Sequence, residues 1–166
     1  KNGTLTQQGG ARLVCTFDAF STLDGLTVNG DLNLTDASAH VRIQNGLALS
    51  GSVLLDNGGQ ISFLGDQTLD NCTVVFGGTS GSIAVGGNAT LTLGPAMVVR
   101  GKTGQFGAGS FSFGPNDKVV NQGLISADVA GGTLTVKTSG FTNAGVLRAS
   151  DGGILNHHRK LVPTYV

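Results

Sequence analysis

The sequence contains no glutamate and no tryptophan, and only one tyrosine, one methionine, three prolines and two cysteines among its 166 residues. All 10 acidic residues are therefore aspartates. Glutamate favours helices whereas aspartate favours turns and caps, so this absence argues against a helical chain. The missing tryptophan and the single tyrosine, Tyr165, weaken an aromatic sugar-binding surface. No run of 18 apolar residues occurs, which argues against a transmembrane helix. Lys and Arg also number 10 and the formal net charge is zero, so no general attraction to nucleic acid or to an anionic membrane follows. The chain starts at Lys1 rather than at an initiator Met, as expected of a processed form or a piece of a longer chain, and no signal peptide is left to read.

Cys15 and Cys72 lack a CxxC neighbour, which argues against metal or redox use. Their separation is not a whole number of the repeats described below. A bridge would need the first residues to fold back as a cap, and two separate, partly buried thiols are the alternative. What is abundant is glycine, 28 residues, together with Val, Leu, Ile and Thr. That mixture favours many short strands joined by tight turns.

Leucine recurs at Leu26, Leu47, Leu69 and Leu91, at steps of 21, 22 and 22 residues. Self-similarity at such a period is the mark of a solenoid. Further matching positions are Leu32, Val53 and Val74, then Leu34, Leu55 and Phe76, and the pairs Val41/Ile43, Ile61/Phe63 and Ile83/Val85. Residues two apart point to the same face of a strand, so each coil should hold three short strands whose inward residues stack as apolar ladders. Gly30, Gly46, Gly51 and Gly58, with Asn45, Asp56 and Asn57, fall between strands.

After Leu91 the next equivalent apolar start is near Val119, about six residues late, which predicts an insertion near 101–109 within the glycine-rich stretch 101–117. The repeat then resumes, with Asn121 and Asn143 spaced by 22 and Ile125/Ala127 matching Leu147/Ala149. Equivalent asparagines one coil apart can bond their amides along the stack and satisfy buried turn groups. Residues 1–24 read as an irregular first coil or cap, and 156–166 as a C-terminal cap or intersubunit extension.

The segments Asn121-Gln-Gly-Leu-Ile, Gly131-Gly-Thr-Leu-Thr-Val, Asn143-Ala-Gly-Val-Leu and Asp151-Gly-Gly-Ile-Leu resemble repeats of bacterial surface proteins. They are similar to autotransporter passenger and filamentous-haemagglutinin-type parallel β-helices over residues 25–155. The resemblance implies a secreted, elongated, right-handed β-solenoid used for adhesion, coating or fibre formation. A strict six-residue hydrophobic repeat, the usual mark of the left-handed type, is missing. The expected fold is thus all-β, a single-domain parallel β-helix of about six coils of about 22 residues.

A polysaccharide lyase or hydrolase on such a helix would need two or three converging carboxylates, or a carboxylate with Arg or Lys. Most aspartates sit in turn contexts such as Asp56-Asn57-Gly58 and Asp151-Gly152-Gly153. Arg100, Lys102, Asp117 and Lys118 flank the inserted loop and form the best cluster for an anionic sugar. His157 and His158 point in opposite directions on an extended strand and His40 is far away, so neither a metal site nor a cofactor is expected. Phe63 and Phe76 hold ladder positions. Phe106, Phe111 and Phe113 fall in the insertion, the last two sharing a face. Asn2, Asn33, Asn71 and Asn88 match the glycosylation pattern in a threonine-rich chain, where coincidence is the plainer reading.

The function expected is a non-enzymatic extracellular structural protein, a rod building a surface filament by head-to-tail contacts between copies, with surface glycans as further candidate partners. The tail residues His157, His158, Arg159, Lys160, Leu161, Val162 and Tyr165 are the expected intersubunit contact, packing near Leu5 to Phe17 of a neighbour. The alternatives are a carbohydrate-binding adhesin module, or an enzyme beside the insertion.

Overall fold

A computed structural model describes residues 1–18, 20–107, 116–138 and 140–157. Among these residues there are nineteen strands and no helix, and every strand pair is parallel. The strands form three sheets on the sides of a β-solenoid. The first side stacks Gly3–Thr6, Thr22–Asn29, His40–Leu49, Gly59–Leu64, Gly81–Gly86, Thr103–Phe106, Thr133–Val136 and Ile154–His157. The second stacks Leu13–Val14, Leu32–Leu34, Ser52–Leu55, Thr73–Phe76, Val98–Gly101, Leu124–Ala127 and Val146–Ala149, one strand for each of about seven turns. The third holds Gln67–Leu69, Thr90–Leu93, Lys118–Asn121 and Gly140–Asn143.

Only the later turns have three separate strands. In the early turns the first and third sides run together, because Thr22–Asn29 and His40–Leu49 bend at a corner without breaking. Gly25 bends the first with φ of 63° beside a register shift between Asp24 and Leu26. Such a φ is open to glycine and costly for most side chains.

The ladders follow from a two-residue side-chain period combined with a coil of constant length. Leu13, Leu32, Val53, Val74, Val99, Ile125 and Leu147 are successive partners up the second side. Val41, Ile61, Ile83, Phe106 and Val136 are successive partners up the first. From Leu32 to Ile125 the second-side rungs are fully buried, and each such side chain contributes about 1.5–3 kcal/mol by leaving water. Leu69 departs from the leucine spacing. It pairs with Leu93, and Leu91 pairs with Gln67. Gln67 occupies the corner because its amide donates to the Ile43 and Leu64 carbonyls while its oxygen accepts from the Gly46 amide.

The stretch 101–106 is regular coil. Thr103–Phe106 is in register with Ser82 and Ile83 on one side and with Thr133–Val136 on the other. The excess residues follow Phe106, and Phe111 and Phe113 lie outside the described residues. Glycine at 104 is a packing requirement, since a β-carbon there would collide with the Phe76 ring. Phe76 meets the buried Phe106 edge-on, with centroids 5.7 Å apart at 75°. Both ends join the stack: Gly3–Thr6 pairs with Leu26–Asn29, and Ile154–His157 with Thr133–Val136. Cys15 and Cys72 are both free thiols, with Cys72 Sγ 3.5 Å from Met97 Sδ. Burial pushes the Cys72 thiol up to about 11, with the Asp70 charge adding to it.

Candidate functional site

The chemistry-bearing side chains concentrate at the corners, where the turn residues of adjacent coils face one another. Six aspartates accept a backbone N–H from a neighbouring coil. The Ser52 amide donates to Asp31 at 2.7 Å, the Thr90 amide to Asp66 at 2.7 Å and the Ala96 amide to Asp70 at 2.9 Å. The Ala89 and Gly101 amides each donate at 3.1 Å, to Asp117 and Asp128. Asp56 is the most heavily engaged. It accepts from Thr79 Oγ1 at 2.6 Å, from the Thr79 and Asn57 amides at 2.9 Å and from the Gly78 amide at 3.2 Å. The Thr79 hydroxyl and these amides hold its carboxyl well below the usual carboxylate range.

Glycine completes these staples. A β-carbon on Gly51, Gly77 or Gly94 would collide with the carboxylate of Asp31, Asp56 or Asp70 in the coil below. Aspartate has the reach to cap the next turn from its own corner, and glycine leaves room for it. This pairing is one structural cause of the abundance of both residue types. Its signature in the sequence is an Asp followed by a Gly 20–24 residues later.

The expected asparagine ladder is present. Asn121 is buried, and its amide nitrogen donates to Asn143 Oδ1 at 2.7 Å and to the Gly123 carbonyl at 3.3 Å. Asn143 repeats the second contact one coil on, donating to the Gly145 carbonyl at 3.0 Å. A second buried polar group had no signal in the sequence. His40 Nε2 lies 2.9 Å from Ser62 Oγ, which also accepts from Gln60 Nε2 at 2.8 Å. All three residues are buried. Burial, and then the Arg42 charge, lowers the His40 pKa, against opposing contributions from Asp18. Neutral His40 can accept the Ser62 hydroxyl proton, the polarity a nucleophile–base pair needs. The pair is closed to substrate, and its geometry serves the packing of the early coils.

The four residues flanking the glycine-rich stretch separate into two pairs. Arg100 and Lys102 stand where the second side turns into the first, whereas Asp117 and Lys118 stand where the first turns into the third, with the strand Thr103–Phe106 between them. Asp117 is 2 % exposed and turned to the Ala89 amide. Arg100 forms its ion pair with Asp128 instead, Nε to Oδ2 at 2.9 Å. In the tail, His157 ends the last strand as the partner of Val136, its ring 5.4 Å from that of Phe141. His158, Arg159, Lys160, Leu161, Val162 and Tyr165 lie outside the described residues.

The structure brings together a set on the outer second side that sequence reasoning did not assemble. Arg100, Ser126 and Arg148 are successive partners on adjacent strands, bordered by Val98 and Leu124 two residues earlier on the same face. With Asp128 and Asp151 they line an open groove of about 350 Å³. Arg148 Nε donates to Ser126 Oγ at 3.1 Å. Among the described residues no group of three or more His, Cys or Asp forms a potential metal site, and no helix is long and apolar enough to cross a membrane.

Fold and corners together define the class: a parallel β-solenoid stapled coil to coil by aspartate. Comparison with protein families, with curated proteins and with solved structures finds no match.

Proposed function

We propose that the chain is a non-enzymatic structural rod of a bacterial cell surface, extended by end-to-end stacking of copies. One observation carries the reading. The inward ladder residues of both end coils, Leu5, Leu13 and Leu23 at one end and Phe141, Leu147 and Leu155 at the other, are only partly buried although they pack on the core. Ala149 is inward-facing in the ladder Leu55, Phe76, Gly101, Ala127, Ala149, yet it is exposed. A further coil laid about 4.8 Å beyond would cover these groups and pair the open strand edges. Because the two ends differ, the contact is head-to-tail and propagates. The roles of the aspartates support a structural reading, since most are committed to turn amides or turn side chains.

Sedimentation over a range of concentrations tests the proposal. The wild type should form species of increasing length, whereas Ala149→Lys, which places a charge where a stacked coil would bury it, should remain a folded monomer. A wild type that is monomeric at every concentration, or an Ala149→Lys variant that associates equally well, would overturn it.

A further inference from the structure

We infer that the groove on the outer second side binds a carboxylated sugar, with Arg148 as the carboxylate-recognising residue. Arg100 and Arg148 project from strands two rows apart, about 10 Å between backbones, with Ser126 between them. They are not equivalent. Arg100 is tied through Nε to Asp128. Arg148, by contrast, is exposed, and among the described residues it is anchored only by the bond from Nε to Ser126 Oγ. That bond fixes the side chain and leaves the two terminal amino groups free, the pair that meets a carboxylate as two parallel N–H···O bonds. Ser126 is fully buried beneath the arginines. A buried serine in a surface column, used to orient an arginine, is more than a solvated face requires.

The rest of the groove selects among anions. Its charged lining is two arginines and two aspartates, Asp128 and Asp151, so the local charge is balanced. A densely charged polyanion would meet both aspartates as well as both arginines and gain little. A ligand with one carboxylate and several hydroxyls fits better, because the aspartates accept from hydroxyls while Arg148 takes the acid. Val98 and Leu124 supply an apolar strip against which the C–H face of a sugar ring can lie. The volume, about 350 Å³, is at the small end of ligand sites and suits one or two sugar units. The site is on the flank of the solenoid and does not depend on end-to-end assembly.

Calorimetric titration of the purified chain with galacturonate, its methyl ester and galactose tests the inference. Saturable binding of the acid is expected, weakened at least about tenfold by esterification or by loss of the carboxylate. Arg148→Lys keeps the charge but loses the two-pronged geometry, and should weaken binding by about tenfold or more without changing the melting temperature. Equal binding of acid and ester, wild-type affinity in Arg148→Lys, absence of saturable binding, or equal competition by an aspartate-rich peptide would each overturn it.

Discussion

Replacing Asp56 by alanine removes the most heavily engaged staple between coils. Four donors converge on this one carboxylate, three of them from Gly78 and Thr79 in the next coil. A hydrogen bond to a charged group is worth about 1.5–3 kcal/mol when well protected, but this corner is solvated, and water replaces part of what is lost. The loss should therefore be about 2 kcal/mol, near the upper value for removing a helix cap, which corresponds to about a 30-fold shift in the folding equilibrium. For a chain of this length that is a fall of about 4–8 °C in melting temperature. Asp56→Asn keeps one accepting oxygen and should lose about half as much. The Asp56 carboxyl is held below the ordinary value of 3.8, so on acidification the unfolded chain binds protons first. Its stabilisation is complete above pH about 4 and is lost as pH falls below that. The acid limb of the wild-type stability curve should accordingly be steeper than that of Asp56→Ala. Thermal melts between pH 2 and pH 7, with amide exchange at Gly78 and Thr79, read all three effects. A variant melting within 1 °C of wild type, with unchanged exchange at those two amides, would refute the staple.

Gly104→Ala should destabilise by about 1–3 kcal/mol in denaturant titrations, because its new methyl group overpacks the Phe76 ring, and Phe76→Leu in the same chain should recover part of the loss. Asn121→Leu removes the donor to Asn143 Oδ1 and to the Gly123 carbonyl inside the stack, and should cost about 2–3 kcal/mol by the same measurement. His40 has a folded pKa below its ordinary 6.5, so its contribution is complete above pH about 6.5 and is lost as the unfolded chain protonates below that. His40→Gln should flatten the stability curve between pH 5 and pH 6.5 relative to wild type.

The ladders were legible because inward residues recur with two periods at once, two along the strand and about 22 along the chain. Leu32, Val53 and Val74, and the pair Ile61/Phe63 over Val41/Ile43, are partners in the structure as the spacing predicts. Asn121 over Asn143 was legible for the same reason. The leucine series failed at Leu69, because Gln67 uses its amide to close a corner and moves the leucine partner two residues on, to Leu93. Thr103–Phe106 reads as loop because Gly104 breaks the apolar alternation, yet that glycine is the space the Phe76 ring fills. The outer groove was hidden more deeply. Arg100, Ser126 and Arg148 become neighbours only through the register between coils, and the coil spacing is irregular in this part of the chain.

Electron cryo-microscopy of the 166-residue wild-type chain at high concentration tests the central claim, a stapled solenoid whose end coils accept another coil, most directly. The account predicts rods longer than one chain, with an unbroken axial spacing of about 4.8 Å running across the junctions between copies. Particles that never exceed the length of a single solenoid, or junctions at which that spacing is interrupted, would contradict it.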